Sequence, residues 1–351
     1  MQESNTAPLT LPGSAFRGKC SMRILVTGAT GFVGGAVVRA LVQVGHEVRV
    51  LVRQHSDRRN IRDLPIEVYH GDVCDLEAVR RATAGCSQVY HVAALYKLWV
   101  RHKGDMYSSN VTGTENILLA ARESNVEKVI YTSSVATLGI PNDGTPGTEE
   151  TPVSLADMVG HYKRSKFLAE QVALRYAQEG LPVVIVNPST PVGIADLKPT
   201  PTGQVIVDFL NGRMPGYIDT GLNLVDVEDV AAGHLLAAEK GRVGEKYILG
   251  NENLTLQQIL EILADLTKLP VPQLRVPYAL ALGVAYADAT LARLIPRREP
   301  HVPPVGVKLS KKKMFFDSTK AIHDLGFPQT PVREALRKAV VWFIKNDYVK
   351  G

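Results

Sequence analysis

The chain is poor in cysteine, with three residues among 351: Cys20, Cys74 and Cys86. An odd count without CxxC spacing argues against both a disulfide framework and a zinc site, and points to a reducing, cytoplasmic setting. No apolar run reaches the ~20 residues that span a bilayer; the nearest, Val276 to Ala287, is about half that length. It reads as a helix opened after Pro277. A strong excess of one charge is also missing, since 40 Lys and Arg stand against 35 Asp and Glu, for a net +5. Acidic residues are interspersed almost everywhere, which argues against a nucleic-acid footprint but suits an anionic cofactor or substrate. The histidines form no ligand cluster, so no metal site is predicted. Residues 1–21 lack the continuous apolar stretch of a signal peptide. Rich in Ser, Thr, Pro and Gly, they read as a disordered extension ahead of Met22.

What is present is a regular alternation. With 45% hydrophobic residues the chain can bury one large core and a second, smaller one. From Arg23 to about Asn187, short β-branched runs alternate with longer helical ones, as in a parallel sheet with crossover helices. Strands are predicted at Arg23 to Thr27, Glu47 to Val52, Ile66 to His70, Gln88 to His91, Lys128 to Thr132 and Val183 to Asn187. Helices are predicted at Val33 to Val44, Leu76 to Ala84, Met106 to Ser124 and about Leu155 to Gln178. Beyond Asn187, Pro188, Pro191, Pro199 and Pro201 break this order and a second lobe begins. Leu222 to Val225, Asp229 to Lys240 and Lys246 to Leu249 read as a return to the sheet. Thr255 with Gln258 forms a capping box, and an amphipathic helix from Val332 to Lys345 closes the chain. The expected fold is α/β: a doubly wound parallel sheet over residues 22–187 with 222–250 returning to it, and a smaller, mainly helical lobe from 188–221 and 251–351.

Two stretches carry chemistry. Residues 27–34 read Thr-Gly-Ala-Thr-Gly-Phe-Val-Gly between the first strand and the first helix. Glycines there permit a tight turn, close backbone approach to a pyrophosphate, and packing of helix on strand, while the helix N-terminus offers free N–H groups. Gly28, Thr30, Gly31, Phe32, Val33 and Gly34 are therefore the predicted phosphate-binding set. Where the second strand ends, a position often acidic in NAD-binding folds, stands Arg53, with Arg58 and Arg59 close behind. A guanidinium attracts a 2′-phosphate, so NADP(H) is the preferred cofactor, with NAD(H) allowed. Tyr162 and Lys166, four apart on one helix, share a face one turn apart. A nearby ammonium and a cationic nicotinamide ring could together bring the tyrosine hydroxyl down towards neutrality as a proton-transfer group. Glu149 and Glu150, in a Gly- and Pro-rich loop, read as a solvated turn.

The order of TGxxGxxG, the Asp72 turn, His91-Val-Ala-Ala94, Asn110-Val-Thr-Gly-Thr114, Ser133-Ser134 and Tyr162-xxx-Lys166 resembles the extended short-chain dehydrogenase/reductases over Met22 to Lys345. Arg53, Leu95-Tyr96-Lys97-Leu98-Trp99, the run Tyr131 to Gly139, the run Gly160 to Glu170 and Val186 to Gly193 are most similar to the hopanoid-associated sugar epimerase group and to dihydroflavonol 4-reductases. The resemblance implies a Rossmann domain with Tyr162 as general acid/base. Lys166 would hold the nicotinamide ribose and lower the tyrosine pKa, and Ser134, with Ser133 as the alternative, would orient the reacting oxygen. It also implies Asp72 and Val73 beside the adenine, Ala93 and Ala94 along the cofactor path, Pro188 near the carboxamide, and Asn110 bracing the active-site helix. The expected reaction is hydride transfer between nicotinamide and a secondary alcohol or carbonyl in a bacterial cytoplasm. A nucleotide-sugar epimerase or dehydratase linked to hopanoids is the alternative, with Arg213, Arg275 and Arg298 as candidate diphosphate ligands; a non-catalytic dinucleotide-sensing module is the remaining one. The partners expected are small molecules, with room for a homodimer. A weak membrane-surface contact is expected where Arg293, Arg297, Arg298, Lys308 and Lys311 to Lys313 flank Val276 to Ala287.

Overall fold

The computed structural model describes residues 21–100, 102–295 and 298–349. The extension predicted over residues 1–21 lies outside them except for Ser21, as do Cys20 and Arg297. In chain order the strands are β1 (Arg23–Thr27), β2 (Glu47–Val52), β3 (Ile66–His70), β4 (Gln88–His91), β5 (Lys128–Thr132), β6 (Val183–Pro188), β7 (Thr190–Val192), β8 (Gly216–Tyr217), β9 (Gly221–Asp226), β10 (Lys246–Leu249), β11 (Glu252–Thr255) and β12 (Leu274–Arg275). The α-helices are α1 (Phe32–Gln43), α2 (Leu76–Thr83), α3 (Lys103–Tyr107), α4 (Gly113–Glu123), α5 (Gly160–Gln178), α6 (Pro201–Leu210), α7 (Val227–Lys240), α8 (Leu256–Thr267), α9 (Tyr278–Leu294), α10 (Pro304–Leu309), α11 (Thr319–Leu325) and α12 (Val332–Lys345).

Seven strands form one parallel sheet in the order β10-β6-β5-β4-β1-β2-β3. Alternation along each strand feeds two cores. Ile24, Val26, Val50, Ile130 and Val184 pack under α1 and α7, while Leu25, Val89, Val129, Tyr131 and Ile185 pack under α4 and α5. Burying each such side chain contributes roughly 1.5–3 kcal/mol, which is why β-branched runs covered on both faces make the spine of the fold. The strand order reverses between β1 and β4, so a crevice opens at their carboxyl ends, where Thr27 lies beside His91.

Three predicted elements differ. The helix expected from Met106 to Ser124 consists of α3, a π-helical turn at Ser108–Thr112 and α4. The long helix expected from Leu155 is a short 3₁₀ turn, Leu155–Asp157, followed by α5 only from Gly160. Val159 is extended and Gly160 has φ +85°, a conformation that costs glycine little and interrupts the helix. Strand β9 joins no part of the large sheet; it pairs with β7 and β11 in a three-stranded sheet. Only β10 returns to the parallel sheet, while α7 covers α1. The lobe has its own core, in which α6, α8 and α12 bring Ile206, Phe209, Leu260, Leu263, Leu336 and Phe343 together.

Candidate active site

The glycine turn sits at the crevice, and two of its glycines are demanded by packing. Gly28 has φ +73°, and a Cβ there would lie 2.6 Å from the Ala93 nitrogen, so the exit loop of β4 runs directly over it. A Cβ on Gly34 would lie 2.1 Å from the Gly28 oxygen, which fixes how α1 seats on the turn. Gly31 differs: its Cβ position meets only the Gly28 oxygen, at 3.2 Å. Gly31 caps α1 with no side-chain hydrogen bond, and the first turn holds no acid. Thr30, Phe32 and Val33 are half-buried there. Asn60, a residue that composition and spacing gave no reason to single out, donates its Nδ2 to the Gly31 oxygen at 3.3 Å and to the Ala195 oxygen at 3.2 Å. It ties the turn to the loop after β7.

Arg53 is exposed at the end of β2, with its guanidinium close enough to Cys74 to act on the thiol. Arg58 and Arg59 are engaged elsewhere. Arg58 Nη2 lies 3.2 Å from His70 Nε2, and Arg59 makes a fork with Asp57 at 2.7–3.1 Å. Asp72 accepts the Cys74 N–H at 2.9 Å and so caps its own turn. Val73 packs against Gly113, and its carbonyl accepts Asn116 Nδ2 at 3.0 Å. Ala93 is half-buried and Ala94 exposed beside the crevice, and Pro188 is buried at the end of β6.

On α5, Tyr162, Lys166 and Glu170 follow at four-residue spacing and share a face. Tyr162 is half-buried, shares a hydrogen bond with Ser134 and stacks on Tyr96 with ring centroids 4.6 Å apart. Lys166 is buried; its Nζ donates to the Thr132 oxygen at 2.8 Å and to Tyr131 Oη at 3.2 Å. The two adjacent serines face different ways. Ser133 Oγ donates to the buried Glu170 carboxylate at 2.5 Å, and Ser134 is the one beside Tyr162. Glu170 also accepts Thr137 Oγ1 at 2.7 Å and Asn187 Nδ2 at 2.9 Å, tying α5 to the ends of β5 and β6. Its spacing from Lys166 was the signal in the sequence that could have found it.

Asn110 lies in the π-helical turn and is buried. Its Nδ2 donates to Ser165 Oγ at 2.9 Å, and its Oδ1 accepts the Leu95 N–H at 2.7 Å, so it braces α5 against the loop after β4. Beneath it, His91 bridges Thr27 and Thr114 at 2.7 and 3.0 Å. Burial, reinforced by Lys166, lowers His91 to about 3, so it is neutral.

The charge states correct one expectation. Burial raises Tyr162 to about 12, with the Ser134 hydrogen bond pulling the other way, so it is protonated at neutral pH instead of lowered by Lys166. The reason is geometric: the ammonium points at Thr132 and Tyr131. Burial lowers Lys166 to about 8, opposed by the charge of Glu170. A second expectation fails at Glu149, which is buried and accepts the Ile248 N–H at 2.8 Å instead of forming a solvated turn. His161 contacts Tyr107 Oη at 3.1 Å and takes no part in the cluster. Of the candidate diphosphate ligands, Arg275 is paired with Asp219 and Arg298 with Asp288, and Arg213 is exposed after α6.

A doubly wound parallel sheet with a glycine turn and an uncapped helix at its switch point defines a Rossmann-type dinucleotide-binding fold. Residues 24–250 match the NAD dependent epimerase/dehydratase family, and the chain belongs to that family. A Synechocystis sp. protein named "Putative dihydroflavonol 4-reductase" is 46% identical over 329 residues, covering 93% of this chain and 95% of the relative. Sterol demethylase protein B of Methylococcus capsulatus is 36% identical over 329 residues, covering 93% of this chain and 100% of the relative. The solved structure of gox2253 superposes with a TM-score of 0.84 at 47% identity, covering 94% of this chain and 100% of that one. The residues present fit the family's dinucleotide: the first turn of α1 offers uncapped N–H groups, and Gly31 keeps their approach open.

Proposed function

We propose that the protein is an NADP(H)-preferring oxidoreductase that reduces a carbonyl on an apolar small molecule, or oxidises the matching secondary alcohol. The observation that carries this reading is Tyr162, half-buried beside Ser134 and protonated to about pH 12. A hydroxyl held in its acid form is suited to donating a proton to a carbonyl oxygen. The bound nicotinamide supplies the hydride. Ser134 orients the substrate oxygen towards Tyr162, and Lys166 offers its ammonium to the ribose hydroxyls from the floor of the crevice. Backbone N–H groups of Phe32, Val33 and Gly34, with Thr30 beside them, bind the pyrophosphate. Asp72, Val73, Ala93, Ala94 and Pro188 line the remaining length of the dinucleotide. Arg53 provides the cation for a 2′-phosphate, since Arg58 and Arg59 already have partners.

The substrate side is aromatic and apolar: Tyr96 lies on Tyr162, and Leu98 and Trp99 follow it in the same loop. The names of the two relatives, a dihydroflavonol reductase and a sterol demethylase protein, suit a ring-bearing alcohol or ketone. The nucleotide-sugar alternative draws support from the family's description, but two of its three candidate arginines are already ion-paired. Residues 188–221 and 251–351 form the substrate lobe in this reading, and the free thiols of Cys74 and Cys86 suit a cytosolic setting.

The test is steady-state NADPH oxidation by purified protein with panels of cyclic ketones and nucleotide sugars. Sustained oxidation with a ketone is expected, falling by about 10²–10⁴-fold in Tyr162→Phe. Interconversion of a nucleotide sugar without net NADPH consumption would overturn the reading in favour of epimerisation.

A further inference from the structure

Helix α9 wears its apolar residues in the reverse of the usual order. Its fully buried positions are small residues, Ala281, Ala285, Ala289 and Ala292, with Tyr278 and Leu282 partly buried beside them. Its outward face carries the large ones: Leu280, Val284, Leu291 and Leu294 are 60%, 52%, 43% and 75% exposed. At ~100° per residue these four fall within a stripe about 80° wide and ~21 Å long. A surface helix normally sets its large apolar residues inward and polar ones outward; here the outward stripe is free of charge.

Cations stand along its side. Lys308 Nζ lies 5.6 Å from the Tyr286 ring and Lys311 Nζ 5.0 Å from the Tyr278 ring, so the α10 region holds two lysines against α9. Lys312, Lys313 and Arg293 are exposed nearby. The acid of α9, Asp288, is neutralised by Arg298 at 2.8 Å. No described helix is long and apolar enough to cross a membrane. An uncharged leucine stripe beside a cationic flank is the pattern of a helix that lies in a bilayer interface and prefers anionic lipid.

The segment leaving α9 also reaches the candidate site. Glu299 pairs with Lys97 at 2.7 Å, Gly306 lies next to Leu98, and Val305 packs on Gly160, the first residue of α5. Those neighbours belong to the loop carrying Tyr96 and to the helix carrying Tyr162.

We propose that α9, flanked by Lys308 and Lys311, docks this protein onto an anionic lipid surface, which brings the loop carrying Tyr96 close to the interface. The docking stands independently of the hydride-transfer reading; only its use, passing an apolar substrate from lipid to the candidate site, rests on that reading. The experiment is co-sedimentation of the full chain with phosphatidylcholine vesicles and with vesicles that also contain phosphatidylglycerol, at low and high salt. The expected result is binding to the anionic vesicles that weakens with salt. Leu280→Glu with Leu294→Glu is expected to reduce binding by about tenfold or more, and Lys308→Gln with Lys311→Gln to remove its preference for anionic lipid. Because the four positions are exposed, far-ultraviolet circular dichroism should be unchanged in every variant. Absence of binding at low salt, or binding indifferent to lipid charge and to these substitutions, overturns the proposal. So does a concentration-dependent dimer abolished by the leucine substitutions without vesicle binding, which would assign the stripe to a second copy of the chain. Vesicle binding is read without turnover, so failure of the enzymatic reading leaves this test intact.

Discussion

The Glu170 carboxylate accepts the Ser133 hydroxyl at 2.5 Å, and this bond turns one of two adjacent serines away from Tyr162 and leaves Ser134 beside it. Glu170 is buried and carries a charge that raises Lys166, while burial lowers that lysine to about 8. His91 is neutral, and Tyr131 and Tyr162 are raised well away from neutrality, so Lys166 is the group of this cluster that titrates near pH 8.

Glu170→Gln keeps a hydrogen-bonding side chain but deletes the charge. With the carboxylate gone, the lysine loses its proton at lower pH. The pH profile of kcat/KM, which reports the free enzyme, should therefore fall from a lower pH than in the parent, by roughly three- to tenfold in rate at pH 8. Lys163, also lowered to about 8 by burial on the same helix, is the control: Lys163→Gln should leave the limb where it was. An unshifted limb in Glu170→Gln would show that the carboxylate only holds the serine loop.

The parallel sheet was legible because short β-branched runs separated by helical ones admit few other folds; five of the six predicted strands of the nucleotide-binding half coincide with those observed. The glycine turn and the Tyr162–Lys166 pair were legible because both depend on local spacing. What stayed hidden depends on tertiary packing. Nothing local to Asn60 announces that it reaches Ala195, 135 positions away. Glu149 looked solvated because its partner, the Ile248 N–H, belongs to a distant strand. The direction of the Tyr162 shift was missed because spacing gives the distance between two side chains along a helix but not where the ammonium points.

Arg53 is exposed, whereas Arg58 and Arg59 already have partners. If it meets a 2′-phosphate, Arg53→Ala should weaken NADPH binding by about 1.5–3 kcal/mol, the worth of a hydrogen bond to a charged group, and leave NADH binding nearly unchanged. Fluorescence titration with both cofactors measures this. Equal loss for the two would remove Arg53 from cofactor selection.

Gly31 and Gly34 separate stability from binding. Gly34→Ala places a methyl 2.1 Å from the Gly28 oxygen, an overpacking that should cost about 1–3 kcal/mol and lower the melting temperature. Gly31→Ala meets that oxygen only at 3.2 Å, so the fold should persist while the methyl obstructs the approach to the first turn of α1. The expected result is a near-parental melting curve with dinucleotide affinity reduced by about tenfold or more. If Gly31→Ala binds normally, the pyrophosphate lies elsewhere.

Asp196 is almost fully buried next to the Asn60 clamp, and burial raises its carboxyl to about 6 despite bonds from the Thr200 N–H and hydroxyl at 2.8 and 2.9 Å. Its ordinary value is 3.8, so between those values the folded chain holds the proton more tightly than the unfolded one. The sign follows from linkage: stability is lost as pH rises through this window, and above pH 6 the fold carries a buried, destabilising charge. Asp196→Asn should therefore stabilise the protein by on the order of 1–2 kcal/mol at pH 7.5, less than the full value of the shift because the amide replaces one acceptor oxygen with a donor. That advantage should shrink as the pH falls through 6 towards 4. Denaturant unfolding of parent and variant across this range checks it, and a difference that stays constant with pH would mean that Asp196 is not the titrating group.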